Sequence, residues 1–87
     1  MSITTAFPTY PLSSLPPLPT TWEDVSWHND ACPSYHTGNG VYVYVDFEEA
    51  SEREYPESTE RFSVVHIDND VVLYTGNDWE EVLRITK

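Results

Sequence analysis

At 87 residues the chain has room for one small core and no second domain of ordinary size. It carries 15 Asp+Glu against 4 Lys+Arg, a formal net charge of −11; such a field repels phosphate, so direct binding to nucleic acid or an anionic membrane is not expected, while proteins with a basic surface are attracted. Cys32 is the lone cysteine, so no intrachain disulfide forms, and neither a signal peptide nor an apolar run of bilayer length is read, which makes a cytoplasmic location the expectation.

Residues 1–19 hold Pro8, Pro11, Pro16, Pro17 and Pro19 and no charged side chain. Proline fixes φ and removes a backbone donor, so this segment is expected to be an extended N-terminal arm. Its apolar Phe7, Tyr10, Leu12, Leu15 and Leu18 suit an arm lying against the rest of the chain, residues 20–87, which reads as a single small domain. Thr21 is a candidate cap for a short helix, with Glu23 and Asp24 at the positive end of its dipole. Asn29, Asp30 and Pro33 then favour an ordered loop.

After the turn Thr37-Gly38-Asn39-Gly40, the run Val41-Tyr42-Val43-Tyr44-Val45-Asp46-Phe47 is the clearest strand. Alternation puts Val41, Val43, Val45 and Phe47 on one face and Tyr42, Tyr44 and Asp46 on the other, as in a central strand covered on both sides. Glu48 to Glu60 holds six glutamates against Arg53 alone and reads as a loop. Residues 61–67 and 71–75 form two further strands joined by a turn at Asp68-Asn69-Asp70. Asn77 with Glu80 begins a helix towards Thr86, with Trp79, Val82, Leu83 and Thr86 on one stripe. The expected fold is thus α+β: a three-stranded antiparallel meander, a C-terminal helix and a proline-rich arm.

Candidate chemistry is sparse. His28, Cys32 and His36 are spaced by four, yet Pro33 breaks the helix that would align them, and a structural zinc site would need a fourth ligand from His66 or a carboxylate. No metal or cofactor is therefore expected. Cys32 with a histidine and Asp30 makes a poor nucleophile, because acidic surroundings raise a thiol pKa. Fifteen carboxylates guarantee close pairs without implying a glycosidase cleft. Gly38 and Gly40 build no phosphate loop, and Arg53, Arg61, Arg84 and Lys87 make no nucleic-acid stripe. No catalytic residue is expected. Trp22, Trp27, Tyr35, Tyr42 and Tyr44 are of interface type, but core use is favoured for Trp27 and Trp79.

The run Trp27-His28-Asn29-Asp30-Ala31-Cys32-Pro33-Ser34, with Arg61-Phe62 and Asp78-Trp79, resembles short uncharacterised proteins encoded on bacterial plasmids and phages, over about residues 22–83. The resemblance implies a mobile-element context and, by analogy with small acidic phage proteins, an inhibitor of anti-CRISPR or DNA-mimic type. The expected activity is non-enzymatic: Glu48, Glu49, Glu52, Glu54 and Glu57, with Asp68 and Asp70, would contact a partner protein's basic, nucleic-acid-binding surface. Alternatives are an adaptor or oligomerising domain using Tyr42, Tyr44 or the arm, and a metal-dependent or cysteine enzyme.

Overall fold

The structure, a computed structural model, describes residues 3–30, 32–54, 57 and 59–86; Ala31 and Lys87 lie outside them. β1 (Glu23–Asp24), β2 (Ser34–His36), β3 (Val41–Val45), β4 (Phe62–His66) and β5 (Val72–Gly76) form one sheet in that spatial order, every neighbour antiparallel. Helix α2 (Trp79–Ile85) follows β5.

The expectation of three strands is therefore corrected to five among the described residues, within an arrangement that is still α+β and still a meander. The two additional strands are short and poor in β-formers. Glu23 and Asp24 take strand geometry because they pair with His36 and Tyr35, and β2 does so because Ser34, Tyr35 and His36 pair with Tyr44, Val43 and Tyr42. Tertiary pairing has overridden local propensity. The same pairing replaces the short helix expected after Thr21.

In β3 the valines are buried and Tyr42 and Tyr44 half-buried, the alternation the sequence predicts. Val43, Val45, Val64, Phe62 and Val82 are the dry centre of the core, with Tyr35 and Val41 beside them and Leu15, Leu18, Trp22, Tyr74, Trp79 and Ile85 packed around. Cover lies mainly on this valine face, since Tyr42 and Tyr44 stay partly open. Trp79 joins the core, meeting Phe62 at 5.1 Å and Trp22 at 5.7 Å between ring centroids. Trp27 does not: it is 47 % exposed and leans on His28, which corrects the core assignment.

Asp78, rather than Asn77, caps α2 by accepting from the Glu80 N–H. Asn77 instead ties strand ends together, accepting from the Arg61 N–H and donating to Glu60.

The arm is not extended throughout. A helical turn, α1 (Ile3–Ala6), begins it and a 3₁₀ turn covers Leu12–Ser14, closed by Ser14 and Leu15 N–H groups on the carbonyls of Pro11 and Leu12. It is tied along its length. The Ile3 N–H donates to Asp24, the Tyr10 hydroxyl to the Asp46 carbonyl, Arg61 to the Ser14 carbonyl, and the Trp79 indole N–H to the Pro17 carbonyl. Burying Ile3 adds about 2 kcal/mol in its own right.

Candidate acidic interface

The sheet has two ends, and they divide the carboxylates. Val45 pairs with Phe62 at one end and Val41 with His66 at the other. Glu48, Glu49, Glu52, Glu54 and Glu57 all belong to the loop that leaves Val45 and returns to Phe62, and all are exposed. Asp68 and Asp70 are exposed in the tight turn after His66. Along β4 alone the ends are separated by four residue steps, about 14 Å. The seven carboxylates proposed from sequence are thus two groups at opposite ends of the sheet rather than one surface.

The described part of the glutamate loop is braced by a feature that charge counting misses. Arg53 follows the 3₁₀ turn Ala50–Glu52 and turns its guanidinium inward: Nε donates to the Phe47 carbonyl at 2.7 Å, Nη1 to Thr59 at 2.9 Å and Nη2 to Glu48 at 3.2 Å. Arg61 behaves similarly, donating from Nη2 to Ser14 and from Nε to the Asp46 carbonyl. Its approach to a carboxylate is loose, 3.7 Å to a Glu48 that stays 63 % exposed. The remaining described arginine, Arg84, is paired within its own helix with Glu81, whose pKa it lowers. The cations closest to the loop therefore grip backbone carbonyls and leave its carboxylates largely unneutralised.

Three of those carboxylates stand over a cleft. Glu48, Glu49 and Glu52 line a space of about 550 Å³ with Phe47, Thr9, Pro11 and Ser14. The arm supplies one wall and the loop the other, while Tyr10 holds the Phe47 ring at 4.8 Å between centroids. Phe47 beside one acidic wall suits the aliphatic stem and cationic head of a lysine or arginine side chain. The walls that Thr9, Pro11 and Ser14 provide were not foreseen. Their signal was the arm's apolar content, which placed it against the domain without saying where.

The turn at the far end is shaped by Asp70, whose φ of 56° is left-handed, with the Asp70 N–H donating to the His66 carbonyl and the Val71 N–H to the Asn69 side chain. Asn and Asp tolerate that geometry best after glycine.

The histidines and the cysteine do not converge on a shared centre. Cys32 is buried, His28 is exposed beside Trp27, His36 lies in β2 against Tyr42, and His66 closes β4. Among the described residues no group of three or more His, Cys, Asp or Glu is placed to hold a metal ion. Burial is the main cause that pushes the Cys32 thiol far above its ordinary value, with Asp46 and Asp30 adding to it and Arg53 opposing. Asp46 is itself buried, and burial raises its pKa against the lowering effects of the Phe47 N–H bond and Arg53. Tyr35, buried beside Asp24 and Tyr10, is pushed up to about 12.

No family model, curated protein or solved structure matches the chain. Among the described residues no helix is long and apolar enough to cross a membrane.

Proposed function

We propose that this chain is a non-enzymatic acidic binding protein that occupies a basic, nucleic-acid-binding surface of a partner protein, as an inhibitor or modulator. The observation that carries the reading is the use of Arg53 and Arg61: their hydrogen bonds go to carbonyl oxygens and Arg61 meets Glu48 only loosely, at 3.7 Å, so the glutamates around the cleft keep most of their charge for a partner. Five exposed carboxylates on a loop held at both strand ends present a field that basic side chains can enter at little ordering cost. A cytoplasmic site of action, and the narrower role of a phage or mobile-element inhibitor such as an anti-CRISPR, belong to the same proposal; the latter has the sequence resemblance as its support.

The test is capture from a bacterial lysate on the immobilised chain at low and high ionic strength, with duplex DNA as competitor. The proposal expects a captured protein that is released both by salt and by DNA. Capture that ignores both removes the reading. It would favour association through Tyr42 and Tyr44, which remain partly open beside a shallow hollow lined by Val25, Asp30 and Ser34.

A further inference from the structure

The two edges of the sheet are unlike each other. β1 is two residues long, acidic, and tied to the arm through Asp24. β5 is five residues long and, among the described residues, has β4 as its one sheet neighbour. Along the β3–β4 ladder the Asp46 N–H donates to Arg61 and the Ile67 N–H to Gly40. Alternation from those bonds turns the backbone of Phe62 and Val64 towards Gly76 and Tyr74 of β5, and leaves the N–H and C=O of Thr75 facing outward.

Such an edge is a template for another strand unless it is blunted by lysine, proline or a bulge. Neither lysine nor proline occurs in β5. It does carry a bulge, Leu73 being the extra residue between the Val64–Tyr74 and Val65–Val72 pairs, so that device blunts the Leu73 end and leaves the Tyr74–Gly76 end open. Val71, Val72 and Leu73 are consecutive and 46–57 % exposed, in a chain whose other apolar strand residues are largely covered. The edge thus combines outward backbone groups with uncovered apolar side chains.

Charge selects the occupant. Asp68 and Asp70 precede β5, and Asp78 and Glu80 follow it, all exposed. A second copy pairing antiparallel along β5 would bring the turn that holds Asp68 and Asp70 near the other chain's Asp78, the cap of α2, and Glu80 in its first turn, like charges meeting at each end. An incoming strand with lysine or arginine at both ends meets opposite charges instead. Resting on the reading of the chain as a binder of basic partners, we propose that β5 accepts an extended basic segment of the partner by strand addition, an apolar centre lying along Val72–Gly76 and flanking cations reaching Asp68, Asp70, Asp78 and Glu80.

The probe is a synthetic peptide of about nine residues, long enough at about 3.4 Å per residue to reach both acidic ends, with alternating Val and Thr between paired lysines. Controls carry glutamates in place of the lysines or a proline at the centre. Binding is followed by backbone amide shifts in two-dimensional NMR. The expected result is that shifts centre on residues 71–76, that both controls bind at least tenfold more weakly, and that Thr75→Pro abolishes binding. That proline removes an outward donor and spares the β4–β5 ladder. Val72→Lys, a change at an exposed position, is the second variant and is expected to weaken binding should Thr75→Pro unfold the chain.

Shifts confined to residues 47–54 and lost on replacing the loop glutamates by glutamine would overturn strand addition while leaving the acidic loop reading intact. Absence of binding to the wild type, or a β5-paired dimer in sedimentation, would overturn it as well. Peptide binding at β5 with no salt- or DNA-sensitive capture from lysate would do the reverse, sinking the nucleic-acid-surface reading and keeping the edge.

Discussion

Replacing Arg53 separates two roles that its position among glutamates confounds. If its charge were what mattered, Arg53→Lys would behave like wild type. In the structure the guanidinium instead acts as a fork, reaching three carbonyls in three directions, two of them in part-buried bonds. Hydrogen bonds from a charged donor contribute about 1.5–3 kcal/mol each, and the exposed one to Glu48 is replaced by water at little loss. Arg53→Ala should therefore cost about 3–6 kcal/mol. A change of 1 kcal/mol moves Tm by about 4–8 °C in a domain of this size, so the fall should be at least about 12 °C. Lysine, with one ammonium at the end of a flexible stem, should recover less than half of that. Thermal unfolding by circular dichroism reads the stability, and amide exchange at residues 47–53 reads the loop. A lysine variant as stable as wild type would refute the fork. An alanine variant within about 1 °C would mean that the loop is not held from inside at all.

Three further outcomes follow from buried groups. Asp46 has its pKa raised chiefly by burial, so the folded state holds a proton more tightly than the unfolded one. Its contribution favours folding at low pH and is lost as pH rises through the folded value, so Asp46→Asn, which keeps an acceptor for the Phe47 N–H, should gain stability over wild type as pH increases through the range just above 3.8 and hold that gain at neutrality; urea titrations across pH check it. The Cys32 thiol should react with a disulfide reagent far more slowly in the native protein than in urea, because burial and the neighbouring carboxylates suppress the thiolate; equal rates would contradict its placement. Tyr10→Phe removes the hydroxyl that holds the arm to the Asp46 carbonyl and should cost about 1 kcal/mol, seen as a Tm lower by about 4–8 °C.

What could be read in advance follows a physical divide. β3, β4, β5 and α2 declare themselves, because Val-Tyr-Val-Tyr-Val alternates strongly and Trp79, Val82, Leu83 and Thr86 recur at helical spacing. β1 and β2 do not. Ser34, Tyr35 and His36 have no strand character that outweighs Pro33 beside them, and they become a strand because β3 offers them a ladder. Trp27 departs from expectation for a related reason: composition says that a small core needs tryptophan, but whether a given ring reaches it depends on the path of an irregular loop. The glutamate loop was legible as charge and not as architecture. Arg53 looked like a lone counter-ion in an acidic run, whereas its partners are carbonyls made close by the chain's return through Thr59. Charge alone groups Asp68 and Asp70 with the glutamates, and the strand lengths that separate them follow only from the ladder.

The central claim, that exposed carboxylates on a preorganised loop are what the partner recognises, is tested most directly by calorimetric titration of the DNA-displaceable partner against a variant with Glu48, Glu49, Glu52, Glu54 and Glu57 all changed to glutamine. Exposed charge pairs contribute about 0.2–1 kcal/mol each, so five should weaken binding by about 1–5 kcal/mol, roughly fivefold to several thousandfold, with unchanged circular dichroism and a much shallower dependence on salt. A folded variant that binds the partner as tightly as wild type, with the same salt dependence, would contradict it.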